Sequence, residues 1–400
     1  MYHVVIVGGS YAGFRALNEL SKHPNLRITV IDRHPYHFLQ TEGYDLIAGK
    51  VPFDNTIIGL RSLCAGFSDN VTFLHTVAEK LEPENNRLIC EDGDIIEYDY
   101  IIIAAGAVTR FFESVKGLKD YSYGVKSFRA AFKLKQFFEA ELYKRLESAK
   151  EAKEKYSILV GGAGLSGVEI AAEMQAFFNR YYRSNSLSCG KIQIHLVGNS
   201  ILPGMKSTVI NKAQKRLKEL GVIIHTGSHI CKVENQCAYL ENGNTIDFDF
   251  MIFTGGIMAA PFVQSLPFEK NRIGQIEVNG YMRPDGIENV FVVGDAANLK
   301  DKNGKPVSSA AQSAEESGTV AGYNIVALLK GKKMKKANIK LRGLAIALGG
   351  RYAIIDAGLF CIDGIMAYIG KKIIEKSYKW PLRLRARNGF NKISHCTKEK

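Results

Sequence analysis

Two glycine-rich turns, each between an apolar run and a helical pattern, constrain this sequence more than any other feature. The first turn, from Gly8 to Gly13, follows the apolar run His3 to Val7, and the second turn, from Gly161 to Gly167, follows Tyr156 to Val160. Such turns let the backbone approach a pyrophosphate, and the helix that follows presents unpaired N–H groups and the positive end of its dipole. One turn predicts one dinucleotide site. Two turns therefore predict electron transfer between two dinucleotides.

The first turn is followed by an apolar run that ends in an acid. The run Ile28 to Asp32 places a carboxylate 24 residues after Gly8, which suits the hydroxyl pair of a ribose. Ser10 occupies the second glycine position of the fingerprint, where a small side chain still lets a phosphate approach. We therefore predict a dinucleotide site whose adenosine and pyrophosphate end is bound by Gly8, Gly9, Ser10, Ala12, Gly13, Asp32 and Arg33.

The second turn has the full pattern Gly162-x-Gly164-x-x-Gly167, but no acid follows it at the expected place. The next apolar run, Ile192 to Val197, ends in Gly198-Asn199-Ser200. The Asn199 amide is able to hydrogen-bond a ribose hydroxyl, and no arginine follows at once to bind a 2′-phosphate. This site is assigned to a nicotinamide dinucleotide, NADH or NADPH, bound by Gly162, Gly164, Gly167 and Asn199.

The order of the motifs resembles that of a known superfamily. Tyr98 to Gly106 lies between the turns, and Phe253 to Ile257 and Gly294-Asp295-Ala296 follow the second. The set looks like the two-dinucleotide-binding-domain flavoproteins. Within them it resembles the type II, or alternative, NADH:quinone oxidoreductases over nearly the whole chain. Narrower marks are Gly167-Val168-Glu169 and the segment Ala311 to Glu316, which is similar to the Ala-Gln-x-Ala-x-Gln motif on the quinone side.

The resemblance implies an α/β fold with two Rossmann-like dinucleotide-binding domains, and it implies roles for particular residues. Asp295 would hydrogen-bond the ribityl or phosphate region of FAD, Glu169 would lie near the nicotinamide, and Gln312 would lie near flavin and quinone. Glu316 stands where glutamine is usual, and Ala105 where threonine is common. The catalytic candidates are Glu169, Gln312 and Glu316, and the further cofactor-binding candidates are Ala105, Gly106, Gly255, Gly256, Gly294, Asp295 and Ala311.

The motifs divide the 400 residues into five segments. We expect residues 1–110 to form the first part of the FAD-binding domain and residues 266–330 to complete it. Residues 111–155 would form a connection with a charged helical stretch, and residues 156–265 the NAD(P)H-binding domain. Residues 331–400 would form a basic amphipathic C-terminal region.

Seven cysteines occur at scattered positions without a Cys-x-x-Cys pair. The disulfide reductases of this superfamily need two nearby redox cysteines, and the sulfide:quinone oxidoreductases, which also resemble this chain, use cysteines to relay sulfur. The pattern therefore favours incidental thiols in a reducing compartment. No spacing of cysteines and histidines predicts a metal site.

The excess positive charge is confined to the C-terminal region. Residues 331–400 carry 17 Lys or Arg and four acids, and the whole chain has a net charge of +13, so residues 1–330 are balanced. The apolar run Ala357 to Ile369 contains Asp363 and is shorter than the ~20 apolar residues of a spanning helix. A helix from about Asp363 to Tyr378, followed by Trp380 among basic residues, instead predicts binding to an anionic membrane surface.

Other partners and functions fit parts of this pattern. Basic residues beside aromatic ones also suit binding to nucleic acid, but we set this partner aside because a flavoprotein core precedes them. A C-terminal region that is merely solvated remains an open alternative. The leading hypothesis is an FAD-dependent enzyme that takes a hydride from NADH, or NADPH, and reduces a membrane quinone without pumping protons. The alternatives are a flavoprotein of the sulfide:quinone kind and one of the apoptosis-inducing-factor kind. We expect no cleaved signal peptide and a peripheral position on the cytoplasmic face of the cell membrane. The oligomeric state, monomer or homodimer, remains open.

Overall fold

The computed structural model describes residues 1–147, 156–184 and 192–396. Its N-terminal part begins with a strand, a helix and a second strand, the order that a dinucleotide-binding unit requires. The elements of this part are β1 Tyr2–Val7, α1 Tyr11–Leu20, β2 Leu26–Asp32, β3 Tyr36–Phe38, α2 Gly43–Ile47, β4 Ile57–Gly59, α3 Leu60–Ala65, β5 Val71–His75, β6 Ala78–Glu82, β7 Arg87–Cys90, β8 Ile95–Glu97, β9 Tyr100–Ile103, β10 Ala107–Thr109 and α4 Leu118–Tyr121.

The middle part repeats the strand, helix, strand order after a long charged helix. Its elements are α5 Phe128–Glu147, β11 Tyr156–Gly161, α6 Leu165–Ser184, β12 Ile192–Val197, α7 Ser207–Leu220, β13 Ile223–His225, β14 Ile230–Glu234, β15 Cys237–Leu240, β16 Thr245–Asp247, β17 Phe250–Phe253, β18 Ile257–Ala259 and α8 Pro261–Ser265. The expected continuation of the charged helix to residue 155 lies outside the described residues.

The last part returns to the first unit and then adds a small sheet and a long helix. Its elements are β19 Ile276–Glu277, β20 Val290–Val292, β21 Ala297–Asn298, α9 Ala311–Leu329, β22 Leu344–Ala347, β23 Ala353–Asp356, β24 Cys361–Gly364 and α10 Ile365–Cys396.

Two parallel sheets form the body of the protein. The first has the strand order β20-β9-β1-β2-β5, and the second has the order β13-β12-β11-β17. Their strands are mostly apolar, and residues such as Val5, Ile102 and Ile158 have no exposed surface, as expected for parallel strands covered on both faces. The predicted fold class, α/β with two Rossmann-like units, is confirmed. The predicted domain boundaries stay predictions.

The two glycine turns lie at corresponding points of the two sheets. Each turn connects an inner strand, β1 or β11, to the helix that follows it, at the carboxyl end of the sheet. Parallel sheets bind ligands at this edge, where the loops diverge. Antiparallel three-stranded meanders, β6-β7-β8 and β14-β15-β16, are inserted into the two units.

The C-terminal region differs from the predicted short helix. Three antiparallel strands, β22-β23-β24, precede α10, which runs 32 residues and continues through Pro381. The sequence predicts an end near Tyr378, whereas α10 continues although Pro381 removes one helical hydrogen bond. The packing of α10 on α3 explains the difference, since a Cβ on Gly389 would lie 1.9 Å from the Ser62 carbonyl oxygen. Among the described residues, no helix has the length and apolarity that crossing a membrane demands.

Candidate active site

The first turn requires glycine at two positions. Gly8 has φ +115°, and a Cβ at this residue would lie 2.2 Å from the Ala104 carbonyl oxygen. A Cβ at Gly13 would lie 2.0 Å from the Gly8 carbonyl oxygen, so α1 starts directly against the strand end. Any side chain here would displace the backbone. The turn is therefore shaped for a ligand whose phosphates contact the main chain, which fits the pyrophosphate of FAD.

Asp32 lies where the sequence predicts a ribose-binding acid, at the end of β2. Its carboxylate accepts hydrogen bonds from the Gly9 N–H at 2.7 Å and from the His34 N–H at 2.8 Å. Burial raises the pKa of Asp32, and the two backbone donors oppose that rise. The carboxylate thus ties the first turn to the strand that follows it and faces the adenosine end of the predicted FAD site.

The second turn has the same backbone constraints but a different strand end. Gly162 has φ +112°, and a Cβ at Gly167 would lie 1.8 Å from the Gly162 carbonyl oxygen. At Gly198, a Cβ would lie 2.7 Å from the Ala163 Cβ, so the strand end packs on the turn itself. Asn199 is exposed beside it. The missing acid therefore has a steric reason, because position 198 has no room for a side chain.

One cavity of about 830 Å³ joins the two units. Its lining includes the first turn, loop residues after strands of both sheets, Glu169 of α6, Ala345 of β22 and Lys371 of α10. Ligand sites are usually cavities of this size between domains. The candidate residues that line it are Gly8, Gly9, Ser10, Ala12, Asp32, Arg33, Ala105, Gly106, Glu169, Gly256, Gly294, Asp295 and Ala311.

Glu169 and Lys371 form an ion pair in the lining of the cavity. The Glu169 Oε1 atom lies 3.4 Å from the Lys371 Nζ atom and accepts a hydrogen bond from the Ala347 N–H at 2.8 Å. Burial raises the pKa of Glu169, although the Lys371 charge and the backbone donor work against this. Burial opposes the charged form of Lys371 too, but Glu169 and Glu375 together raise its pKa.

Comparisons with known proteins decide the family. A family model described as pyridine nucleotide-disulphide oxidoreductase matches residues 2–318. The chain belongs to that family. The pyridine nucleotide-disulphide oxidoreductase membership makes this protein an oxidoreductase and supports FAD and NADH as its cofactors, so the predicted enzyme class and cofactors are confirmed.

Relatives of this pyridine nucleotide-disulphide oxidoreductase confirm the resemblance seen in the motifs. The type II NADH:quinone oxidoreductase of Staphylococcus saprophyticus is 23% identical over 382 residues, 93% of this chain and 94% of that protein. The NDH2 structure of Plasmodium falciparum with NADH has a TM-score of 0.83 and 18% identity and covers 98% of both chains. The sulfide:quinone oxidoreductase of Aquifex aeolicus has a TM-score of 0.79 and 19% identity, over 96% of this chain and 92% of that one.

Within this family member, several candidates lie outside the cavity lining. Gln312 and Glu316 lie on α9, but they contact the strap, the segment 330–343 that joins α9 to β22. Gln312 accepts a hydrogen bond from the Arg342 N–H at 3.1 Å, and Glu316 accepts one from the Lys340 N–H at 3.2 Å. Their catalytic roles stay predictions. The other candidates outside the lining are Gly13, Gly162, Gly164, Gly167, Asn199 and Gly255.

Sequence reasoning missed two residues of the cavity lining, Lys126 and Lys371, and one residue, Tyr378, that packs on the lining residue Tyr11. Lys126 lies 3.2 Å from the Asp295 carboxylate, with both groups in the cavity lining. Lys371 comes from the C-terminal region, and Tyr378 of the same helix stacks on Tyr11 with ring centroids 4.8 Å apart. The sequence signal for the last two is the recurrence of basic and aromatic residues in the C-terminal region, which by itself predicts a membrane surface.

Tyr44 also belongs to the site, at the junction of the two units. Its hydroxyl donates a hydrogen bond to the Ser166 Oγ atom at 2.7 Å, and both residues line the cavity. Burial raises the pKa of Tyr44, so it stays a neutral phenol and a donor. The α2 helix is thereby fixed to the start of α6, next to Glu169.

Proposed function

We propose that this protein oxidises NADH, or NADPH, through FAD and reduces a membrane quinone, without pumping protons. One observation carries the proposal: a single cavity extends from the first turn to Glu169 and Lys371, which belong to different units. Flavin and acceptor would therefore share one cavity, and Leu165 and Ser166, which follow the second turn, would bring the donor to its wall. Staphylococcal relatives named as type II NADH:quinone oxidoreductases match nearly the whole chain and support the choice of acceptor.

The residues of the first unit would hold FAD. The first turn would receive the pyrophosphate, Asp32 the adenosine ribose, and Asp295 the ribityl region, with Lys126 offsetting the negative charge of Asp295 at 3.2 Å. Bound FAD supplies the redox chemistry, because an isoalloxazine accepts a hydride and gives up electrons in turn. The second turn and Asn199 would hold the nicotinamide donor, with Leu165 and Ser166 at the cavity wall.

Glu169 and Lys371 would supply a proton for the acceptor. Reduction of a quinone to a quinol takes two electrons and two protons, whereas the hydride of NADH carries two electrons and one proton. The site therefore needs one further proton in each turnover. Glu169 is buried at the cavity wall with a raised pKa, and Lys371 is a cation beside it, as a proton donor and its charge partner require.

The acceptor would come from a membrane, since α10 and the β23–β24 hairpin that precedes it expose an apolar face. Ile365, Ile369 and Ile373 recur every four residues, and this spacing places them on one side of the helix. The exposed apolar side chains of this face are Leu359, Phe360, Ile362, Ile365, Met366, Ile369, Ile373, Ile374, Trp380 and Leu384. Helices of this kind lie in the interface of a lipid bilayer.

The positive charge available to lipids is smaller than the sequence count suggests. Lys371, Lys372 and Lys379 of α10 bind buried acids, and the Arg385 guanidinium lies 3.9 Å from the centre of the Phe67 ring. The exposed Lys376 and the other basic residues after α9 remain available to bind anionic headgroups. We propose that insertion of the apolar face contributes more to membrane binding than charge does. Flotation with vesicles should therefore persist at high salt, where the Debye length is about 3 Å.

A single anaerobic experiment tests the redox part of the proposal. Flavin absorbance is followed while purified protein is mixed with NADH, NADPH or sulfide, and then with a soluble quinone. We expect bleaching by a nicotinamide donor and recovery of the absorbance with quinone. Bleaching by sulfide alone would contradict the proposal and support the sulfide:quinone alternative.

The sulfide:quinone alternative has one structural argument for it and one against it. The fold similarity to the Aquifex aeolicus enzyme favours it. The cysteines whose surroundings the structure describes oppose it, because Cys64 and Cys90 are buried in the first unit and none of Cys64, Cys90, Cys231, Cys237 or Cys361 lines the cavity. A sulfur relay would need a thiol within reach of the flavin.

A further inference from the structure

A second cavity lies further along α6 than the cavity of the candidate active site. It has a volume of about 620 Å³ and is lined by the C-terminal half of α6, the end of α7, Lys50 and Gly350 of the loop that joins β22 to β23. Among the described residues, the two cavities have no lining residue in common. Arg180 lies about 22 Å along α6 from Leu165, which follows the second turn. The second cavity is therefore separate from both predicted dinucleotide sites.

The lining of the second cavity carries more positive than negative charge. Lys50 pairs with Glu173 at 2.7 Å and also with Asp45, an acid shared with α10, so this lysine is neutralised. The remaining charged groups of the lining are three arginines and one acid: Arg180, Arg183, Arg216 and Glu219. The C-terminal ends of α6 and α7 lie at the same cavity, and together their dipoles contribute a charge of about −1. An excess of about one positive charge therefore remains.

Two of the three arginines have no acid beside them. Arg180 and Arg183 lie three residues apart on α6, so their side chains lie on the same face of the helix. The Arg180 guanidinium lies over the Phe177 ring, 5.6 Å from its centre, and the Arg183 Nε atom donates a hydrogen bond to the Asn179 carbonyl oxygen at 3.1 Å. Neither arginine forms an ion pair with any residue that the structure describes. Their terminal nitrogens are therefore available to a ligand.

The third arginine, Arg216 of α7, is fixed before any ligand binds. Its Nε and Nη2 atoms donate hydrogen bonds to the Leu348 carbonyl oxygen at 3.1 Å and the Gly349 carbonyl oxygen at 3.3 Å. Its guanidinium lies 4.8 Å from the centre of the Tyr352 ring. The Nη1 atom is 3.6 Å from the Glu219 carboxylate, whose side chain is 47% exposed, and such a pair contributes little. A group held in this way loses little conformational entropy when it binds an anion.

We propose that the second cavity binds a small molecule that carries a phosphate group. Guanidinium groups present paired N–H donors whose geometry matches phosphate oxygens, and three such groups at one cavity suit a group with several acceptor oxygens. The cavity is larger than a phosphate ion requires, and its apolar wall of Phe177, Ile192 and Leu220 would receive the rest of the ligand. The phosphate belongs either to a soluble compound or to the headgroup of an anionic phospholipid.

A ligand at this site would connect α6 and α7 to the C-terminal sheet. Arg216 contacts the loop between β22 and β23 through two carbonyl oxygens, and Lys50 donates a hydrogen bond to the Gly350 carbonyl oxygen of the same loop at 3.2 Å. The site does not depend on the proposed function, because neither flavin nor quinone takes part in it.

Titration calorimetry with pyrophosphate tests the site in the full-length, FAD-loaded protein. NAD⁺ is kept at saturation so that the second turn is filled, and the ionic strength is held constant because salt screens charge. We expect Arg180→Gln with Arg183→Gln to weaken binding at least about tenfold, since hydrogen bonds between charged groups are lost. Arg61→Gln with Arg129→Gln removes the same charge from exposed positions outside both cavities and should leave the affinity unchanged. Citrate, which has a similar charge but no phosphate, should bind at least about tenfold more weakly than pyrophosphate.

Three results would overturn the site: no binding of pyrophosphate to the unaltered protein, equal affinities in the two double variants, or citrate binding as tight as that of pyrophosphate. If the variant of Arg180 and Arg183 loses its FAD, Glu219→Gln decides instead. It releases Arg216 from its acid and should tighten pyrophosphate binding about threefold, and an unchanged affinity would contradict the proposal.

Competition with lipid vesicles separates the two sources of the phosphate. Loss of pyrophosphate binding in the presence of phosphatidylglycerol vesicles, but not of phosphatidylcholine vesicles, would assign the site to a lipid headgroup. Binding that persists with both kinds of vesicle would assign it to a soluble phosphate compound. A failure of quinone reduction would leave all of these results unchanged.

Discussion

The two glycine turns of this protein share a backbone geometry but differ in the residues that lie beside them. The first turn lies beside Asp32, a buried acid that binds the turn through the Gly9 N–H. The second lies beside Gly198, which packs on Ala163, and beside exposed Asn199. A turn beside a buried acid is suited to a cofactor that stays bound, and a turn beside an exposed residue is suited to a donor that binds and dissociates. The difference teaches how one motif would serve both a resident cofactor and a passing substrate, as the proposed function requires.

The largest expected effect comes from filling the space inside the first turn. Gly13→Ala would bring a Cβ to 2.0 Å from the Gly8 carbonyl oxygen, so the turn must open. If the opening of the turn costs ~3 kcal/mol, the affinity for FAD falls by about 100-fold. Gly164→Ala is the matched control in the second turn, because a Cβ there meets nothing within 4 Å. Fluorescence titration of released flavin measures both, and equal FAD loss in the two variants would break the comparison.

A smaller effect is expected at the open end of the second turn. Asn199→Asp supplies the missing acid at an exposed position, and its charge repels the 2′-phosphate of NADPH. We expect the preference for NADH, as the ratio of kcat/KM values, to rise about tenfold, the effect of ~1.4 kcal/mol. Asn199→Gln is the neutral control. If the ratio is the same in both variants, Asn199 does not face the adenosine ribose.

The smallest effect is expected at the unusual Glu316. Its carboxylate pairs at 3.4 Å with Arg342, whose side chain is 82% exposed, and such pairs contribute only about 0–1 kcal/mol. Glu316→Gln should therefore change the rate of quinone reduction by less than about threefold. A larger fall in that rate, with donor oxidation spared, would place Glu316 at the acceptor after all.

The sequence predicts those parts of the site that are built by local backbone. The turns at Gly8 and Gly162 and the acid at Asp32 follow from spacing, because strand, turn and helix are consecutive in the chain. Lys371 cannot be predicted in this way, since 202 residues separate it from Glu169 and only the fold of β22–β24 brings them together. Its charge is plain from the sequence, but the partner that the sequence predicts for it is lipid.

The C-terminal helix shows the same limit. Its basic residues and Trp380 predict a short surface helix, whereas close packing of Gly66 and Gly389 lets it continue across α3. Lysines that are typical of a membrane patch instead pair with Asp45 of α2 and Glu169 of α6. The sequence gives the sign of the net charge of a region, and only the packed structure shows which group each charged side chain contacts.

The most direct test of the central claim separates the two half-reactions in Lys371→Met. If one cavity joins the donor to an acceptor site at Glu169 and Lys371, loss of the cation should slow reoxidation of the reduced flavin by quinone about 100-fold, a size usual for loss of proton-transfer catalysis. Reduction of the flavin by NADH should change less than about threefold, and Lys376→Met on the exposed side of α10 should change neither rate. Stopped-flow absorbance measures both steps. Unchanged reoxidation, or equal slowing of both steps, would contradict the account.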